Sequence, residues 1–201
     1  MVAHAHANGA LHTLADFAGH SVDWVVPLGL DYAATTVHEI PPNGQGIAAL
    51  MALGILREFD LPSLPPDSVA SQHLQIEAMK LGFADAYRYV SDPRTMEFAP
   101  SALLDPDYLA SRARLIDPER AQDFGPGDPP RGGTVYLCAA DERGMIVSLI
   151  QSNYMGFGSG VVVPGTGISL QNRGVGFSLQ TGHPNEIGGG NRPFHTIIPG
   201  I

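Results

Sequence analysis

The chain has 201 residues, 44% of them hydrophobic, and a formal net charge of −9. This length and composition allow a sizeable core within one domain of ordinary size. The negative charge argues against a nucleic-acid binder, because such proteins concentrate positive charge on one face. No stretch approaches the roughly 18 consecutive apolar residues of a membrane span, so neither nucleic acid nor membrane is expected as a partner.

The first 60 residues predict a strand and a buried helix that are joined by a compact turn. Residues 31–40 are rich in β-branched side chains and predict the strand. The turn Pro41-Pro-Asn-Gly-Gln-Gly46 leads into residues 47–59, which are apolar over most of their surface and predict a buried helix. Gly54 lowers the stability of that helix and indicates that another element packs closely against it.

Two further helices are predicted between a proline cluster at 62–66 and residue 116. Asp67 or Ser68 can cap a long helix that extends to about Val90. Asp105-Pro106 combines an N-cap with proline at the first helical position, and it opens a shorter helix across residues 108–116. The candidates for the inner side of the long helix are Val69, His73, Met79, Phe83 and Tyr87.

Two acidic residues on the long helix could suggest an acid–base pair. Glu77 and Asp85 are eight positions apart, however, so the faces they occupy only roughly coincide. We interpret both as structural residues that pair with Lys80 or Arg88.

The last third of the chain changes to a β pattern. Residues 123–133 are punctuated by proline and glycine and predict no regular structure. Residues 134–140 and 145–151 alternate or run apolar around the turn Asp141-Glu-Arg-Gly144, which predicts a hairpin. Because helices come first and strands second, the expected architecture is α+β or layered α/β.

Histidine and cysteine provide no clear metal site. His4, His6 and His12 lie near the start without a cysteine or carboxylate to complete a ligand set, and a solvated end is expected. The single cysteine, Cys138, lies in a β-type run, where a buried thiol is expected and a catalytic cysteine is the alternative. We expect neither a metal nor another cofactor.

The junction Gly133-Thr134 offers a nucleophile. If the peptide bond before Thr134 were cut, its new α-amine would lie within reach of its own hydroxyl and could act as the activating base. Such an amine titrates near neutrality, at about 7.7–8.0. Glycine before the cut allows the strained carbonyl geometry that attack requires. A threonine at a strand start after two glycines is also an ordinary structural feature.

Several segments, taken together and in order, resemble the gamma-glutamyltransferase family. They span nearly the whole chain, and jointly they are specific. The segments are Pro41–Gly46 with the helix that follows, Glu77–Asp85 with Asp92-Pro93, the strand pair from Thr134, residues 156–168, and residues 191–199.

The resemblance implies an N-terminal-nucleophile hydrolase with a layered αββα sandwich, of which this chain is an incomplete, internal fragment. Residues 1–133 would be the C-terminal part of a large subunit, and residues 134–201 the start of a small subunit that stays associated after self-cleavage. The enzyme would act on a small-molecule amide, such as glutathione or another γ-glutamyl compound, and pass the acyl group to water or an amine. An oxyanion hole is expected beyond Ile201. Localisation is open, with the cytoplasm favoured over the periplasm or secretion.

The resemblance also implies roles for individual residues. Thr134 matches the nucleophile, with the cleavage site between Gly133 and Thr134, and Ser152 falls where a threonine supports that nucleophile. Four residues match substrate-binding positions but depart from the family in chemistry: Tyr154, Arg173, His195 and Thr196.

These departures change the charge of the site. Tyr154 replaces an asparagine, and His195-Thr196 replaces a pair of serines. Arg173 stands where an acidic or amide residue contacts the substrate amine, and Gly176 stands where an aspartate does. A cation in place of an anion disfavours an α-ammonium and suits a carboxylate.

Two alternatives to a glutathione hydrolase follow. One is an oxamate amidohydrolase-like enzyme or another acylase of the family. The other is an inactive fragment or a degenerate homologue that binds without catalysis. Two of these positions also have a purely structural interpretation. Arg173 would then be a surface residue or bond a carbonyl, and Tyr154 would be a packed aromatic.

Overall fold

The computed structural model describes residues 1–124 and 133–201, with only the backbone described at residues 133–136. The described residues form a mixture of helices and two-stranded antiparallel sheets, which confirms the α+β prediction. The elements are α1 (Val2–Ala7), α2 (Leu14–Ala18), β1 (Leu28–Tyr32), β2 (Thr35–Glu39), α3 (Ile47–Leu56), α4 (Val69–Tyr89), α5 (Pro106–Ala113), β3 (Gly133–Ala140), β4 (Ile146–Tyr154), β5 (Val162–Val163) and β6 (Ile168–Ser169). The sheets pair β1 with β2, β3 with β4, and β5 with β6.

The strand predicted over residues 31–40 is confirmed for β2, but its first residues instead form the end of β1 and the turn of the hairpin β1–β2. Tyr32 pairs with Thr35 across a tight turn, where Ala33 has a φ of 52°. The hydroxyl of Thr36 donates to the carboxylate of Asp31 at 2.6 Å and holds the turn. Asparagine and glycine are the residues that usually mark such a turn, and neither occurs here.

The prediction of a buried helix after the turn at 41–46 is confirmed by α3. Its side chains are buried around most of the helix, including Ile47, Leu50, Met51 and Ile55, each at 0% exposure. A Cβ at Gly54 would lie 2.4 Å from Cδ1 of Leu109 and 3.2 Å from Cδ1 of Leu30. This glycine therefore lets α5 and β1 pack closely on α3, as the sequence predicts.

Helix α4 begins where predicted, but its buried side differs from the prediction. The Ser68 hydroxyl caps it by accepting from the Ser71 N–H at 3.2 Å. Val69 and Met79 are exposed, whereas His73, Phe83 and Tyr87 are only partly buried. The buried residues are Ser71, Leu74, Glu77, Ala78, Leu81, Gly82, Asp85 and Ala86.

Small residues on α4 explain why this side of the helix is the buried one. A Cβ at Gly82 would lie 2.7 Å from the carbonyl oxygen of Ala48 in α3, so the two helices approach closely at this point. The prediction favoured large apolar residues, but close packing of two helices selects the smaller ones.

The two acidic residues of α4 are structural, as predicted, and one has a different partner. Glu77 pairs with Lys80 at 2.7 Å. Asp85 pairs with Arg112 of α5 at 2.9 Å, whereas Arg88 pairs with Glu97. Helix α5 is capped by the Asp105 carboxylate, as predicted, although it ends at Ala113 and not at residue 116.

The predicted hairpin is confirmed by β3–β4, but Cys138 within it is exposed and not buried. Neighbouring apolar side chains are also about half exposed, including Leu137 at 48% and Leu149 at 52%. Within the described residues, no other strand pairs with this hairpin. Residues 125–132 of the segment predicted to be irregular lie outside the described residues. No described helix has the length and apolar character needed to span a membrane.

We expect Gly82→Ala to destabilise the full-length protein by about 1–2 kcal/mol. Overpacking costs roughly 1–3 kcal/mol and outweighs the gain in helix propensity of about 1 kcal/mol, because the opposing Ala48 carbonyl belongs to the backbone. Urea unfolding measures the difference, with Gln72→Ala at an exposed position of α4 as the control. A more stable Gly82→Ala variant would show that α3 and α4 separate readily.

Candidate active site

The β3–β4 hairpin places Thr134 directly opposite Ser152. The register shifts between Gly133 and Thr134, so the regular ladder starts at the threonine. The side chain of Thr134 lies outside the described residues. Its backbone position nevertheless pairs the predicted nucleophile with the residue predicted to support it.

Arg173 is the centre of a cluster that contains the other predicted site residues. It begins a short 3₁₀ turn, Arg173–Gly176, and is only 3% exposed. Its Nη1 donates to the Thr196 hydroxyl at 2.8 Å, and its Nη2 donates to the Ser152 hydroxyl at 3.0 Å. Its Cζ lies 4.2 Å from the centre of the Tyr154 ring, a cation–π contact. The interpretation of Arg173 as a surface residue is therefore wrong.

The Ser152 hydroxyl accepts two hydrogen bonds from groups in the described part of the chain. One comes from Arg173, and the other comes from the Tyr154 N–H at 3.0 Å. A serine hydroxyl has two acceptor lone pairs and one proton. With both lone pairs engaged, Ser152 acts towards any further group as a donor.

Tyr154 closes the end of β4 in a strained conformation. It is 1% exposed and has a φ of 75°, in the left-handed region that bulky residues seldom adopt. Its hydroxyl has no hydrogen-bond partner among the described residues, and burial raises the pKa of this phenol. The packed-aromatic interpretation holds, and what the ring packs against is the Arg173 guanidinium.

His195 and Thr196 are positioned by the turn at 41–46. The His195 N–H donates to the Asn43 carbonyl at 2.9 Å, and the Gln45 N–H donates to the His195 carbonyl at 2.8 Å. Nδ1 of His195 accepts from the Ile197 N–H at 3.2 Å. Burial, together with the nearby charge of Arg173, lowers the pKa of His195 to about 4, so the imidazole is neutral at pH 7.

Arg173 brings a buried positive charge into the cluster. Among the described residues, no carboxylate lies within ion-pair distance of Arg173, although six other ion pairs are present. Burial lowers the pKa of this guanidinium. Since buried charges are normally paired, the cluster is suited to an anionic group.

Two residues that hold the site were not predicted from the sequence. The Asn185 side chain accepts from the Phe194 N–H at 3.0 Å and donates to the Gly176 carbonyl. Asp92 accepts from the Arg192 N–H at 2.9 Å. An asparagine in a glycine-rich loop gives no sequence signal for such a role, and Asp92 appeared only within a family segment. No group of three or more metal-ligating side chains occurs in the described part of the chain, and His4, His6 and His12 form none.

A family model for gamma-glutamyltranspeptidase matches residues 1–201. The chain belongs to this family. The resemblance to gamma-glutamyltransferases drawn from the sequence is therefore confirmed, and the cluster around Arg173 lies within a gamma-glutamyltranspeptidase scaffold.

The relatives of this chain within the family are named as different enzymes. A glutathione hydrolase-like proenzyme of Bacillus subtilis is 35% identical over 205 residues, covering 100% of this chain and 38% of that protein. The oxamate amidohydrolase proenzyme of Klebsiella pneumoniae is 38% identical, covering 93% of this chain and 35% of that protein. The crystal structure of a cephalosporin acylase from Bacillus halodurans has a TM-score of 0.87 and 48% identity, covering 97% of this chain and 35% of that one. This chain thus spans little more than a third of these relatives.

We expect the full-length protein with His195→Asn to lose less folding stability in acid than the wild type. The lowered pKa of His195 means that the unfolded state binds more protons between about pH 6.5 and 4, so this residue destabilises the fold as the pH falls. Between pH 7.5 and 5 the wild type should lose about 2 kcal/mol more than the variant, whose amide oxygen can still accept from Ile197. Urea unfolding at both pH values measures this, with His12→Asn as the control. Equal losses in wild type and variant would contradict a buried neutral imidazole.

Proposed function

We propose that the full-length protein is a self-processing amide hydrolase and acyltransferase whose nucleophile is Thr134. The observation that carries this proposal is the pairing of Thr134 with Ser152, whose lone pairs are both engaged. Ser152 then supports the nucleophile by donating its proton to the Thr134 hydroxyl oxygen. Relatives that are named proenzymes support the self-processing.

Processing begins with attack of the Thr134 hydroxyl on the carbonyl carbon of Gly133. The peptide C–N bond breaks, an ester to the threonine oxygen forms, and the nitrogen takes a proton to become the α-amine. Water then hydrolyses the ester and leaves the hydroxyl free. The amine titrates at about 7.7–8.0, so it can serve as a base near neutral pH.

Turnover uses the same atoms. The α-amine takes the proton of the Thr134 hydroxyl while the oxygen attacks the amide carbon of the substrate. The C–N bond of the substrate breaks, and the departing amine receives that proton. The acyl group, held as an ester on Thr134, then passes to water or to an acceptor amine. No step requires a metal or another cofactor.

Cleavage would divide this chain into residues 1–133, at the end of a large subunit, and residues 134–201, at the start of a small one. Contacts across this division support continued association of the two subunits. They include the hydrogen bonds of His195 with Asn43 and Gln45, and that of Arg192 with Asp92. We propose a layered αββα sandwich for the whole protein and a cytoplasmic location.

γ-Glutamyl compounds such as glutathione are the first candidate substrates, and one observation favours a second. Arg173 is a buried cation, and Gly176 offers no carboxylate for an α-ammonium. A substrate with a carboxylate and no ammonium suits this charge better, as in an oxamate amidohydrolase-like enzyme or another acylase. We propose Tyr154, Arg173, His195 and Thr196 as the substrate-binding residues.

We expect the full-length protein to be recovered as two pieces, of which the smaller begins at Thr134. Intact mass and N-terminal sequencing measure this, and Thr134→Ala should remain uncut because the attacking hydroxyl is gone. Thr134→Ser retains a hydroxyl and should still be cut, which controls for misfolding. A wild-type chain that stays uncut and binds amides without hydrolysing them would show that the protein is a degenerate homologue used for binding.

We expect the processed enzyme to hydrolyse glutaryl p-nitroanilide faster than γ-glutamyl p-nitroanilide, since the two differ only in the α-ammonium. Arg173→Gln should lower kcat/KM for the glutaryl compound roughly 10- to 100-fold, the loss of a charged hydrogen bond. Arg143→Gln, which changes an arginine that is 84% exposed, is the matched control. A wild-type preference for the γ-glutamyl compound would support glutathione-type substrates.

A further inference from the structure

A cavity of 460 Å³ lies on one side of Ser152. Three parts of the chain form its walls. Ala5 and Ala10 come from α1 and the residues after it, Ser152 and Asn153 from β4, and Val161 and Leu170 from the segment around β5 and β6. Small-molecule sites have volumes of about 300–1,000 Å³, so the cavity is large enough for a substituent of a substrate.

Hydrogen bonds fix the walls of this cavity. The Ser159 hydroxyl donates to the Leu170 carbonyl at 2.7 Å, and the Leu170 N–H donates to the Val161 carbonyl at 2.9 Å. In the segment after α1, the Ala10 N–H donates to the Ala5 carbonyl at 2.9 Å. Two of the wall segments are therefore each held together by hydrogen bonds.

Among the described residues that line the cavity, none is aspartate, glutamate, lysine or arginine. The apolar part of the lining comes from methionine, alanine, valine, leucine and the Phe17 ring, which lies 5.8 Å from the His12 ring. Asparagine, glutamine, serine and histidine side chains form the rest. A charged group would find no acidic, lysine or arginine side chain here, so the cavity suits an uncharged group that combines apolar surface with hydrogen-bonding atoms.

Ser152 is where this neutral cavity meets the cationic cluster. The same residue lines the cavity and accepts from Arg173 at 3.0 Å. Ser152 therefore links three features, since it contacts Arg173, pairs with Thr134 and lines the cavity. We propose that the cavity binds the uncharged amine half of the amide substrate, the group that leaves. This inference rests on the proposed amide hydrolysis.

The test uses two matched variants of the processed full-length enzyme. Val161→Phe fills the cavity from its wall, whereas Val162→Phe adds the same side chain at the next position, which is 54% exposed and does not line the cavity. The substrates share one acyl group and differ in the amine, which is either ammonia, in a primary amide, or an aromatic amine such as 2-naphthylamine. Val161→Phe should lower kcat/KM for the aromatic amide about 10-fold and leave the primary amide within about twofold.

Normal self-cleavage of Val161→Phe shows that the variant folds, and Ala10→Leu with Ala3→Leu as its control gives a second pair. Equal losses on both amides, or no loss on either, would overturn the assignment. In a second series of amides that share one amine, a Val161→Phe loss that grows with the size of the acyl group would place the acyl half in the cavity and overturn the assignment too. Failure of the proposed function is distinguishable, because the wild type would then hydrolyse neither amide.

Discussion

Two backbone hydrogen bonds join Asn43 and Gln45 to His195, and the geometry of the site depends on them. The turn that carries Asn43 leads directly into α3, the most deeply buried helix of the chain. The core thus fixes the turn, and the turn fixes His195 and Thr196. Thr196 accepts from Arg173, which in turn donates to Ser152 opposite Thr134. Each bond contributes only about 1 kcal/mol, but together they connect the helical core to the end of β4.

Charge is distributed unevenly between the frame and the site. The buried carboxylates of Asp85 and Asp92 have partners, whereas that of Glu39 has one oxygen without a hydrogen-bond partner among the described residues, and burial raises the pKa of Glu39 to about 6. Asp85 pairs with Arg112, and Asp92 accepts from Arg94 and from the Arg192 N–H, contacts that hold the pKa of Asp92 well below its usual range. The cluster around Arg173 differs, since its cation contacts only hydroxyls and an aromatic ring among the described residues. Arginines thus compensate the carboxylates of Asp85 and Asp92, whereas we propose that an anionic ligand compensates the charge of Arg173.

Much of the fold could be predicted from local patterns, because caps, apolar faces and turn residues act over a few positions. Ser68, Asp105 and the all-apolar surface of α3 are examples. The inner side of α4 could not be predicted, since the close approach at Gly82 depends on what α3 presents opposite it. For the site, the family resemblance named the residues that gather around Arg173. Their connection through Asn43 and Asn185 depends on contacts between segments far apart in sequence, which no local pattern encodes.

The backbone conformation of Tyr154 is unfavourable for the side chain that it carries. Its φ of 75° is a conformation that asparagine adopts readily and tyrosine does not, and asparagine is the residue expected here from the resemblance to gamma-glutamyltransferases. The main chain at position 154 therefore suits a residue type other than the one it carries. Replacing Tyr154 by asparagine would relieve the backbone but remove the ring from Arg173. Positions 154 and 173 are thus coupled, because a substitution at either one changes the surroundings of the other.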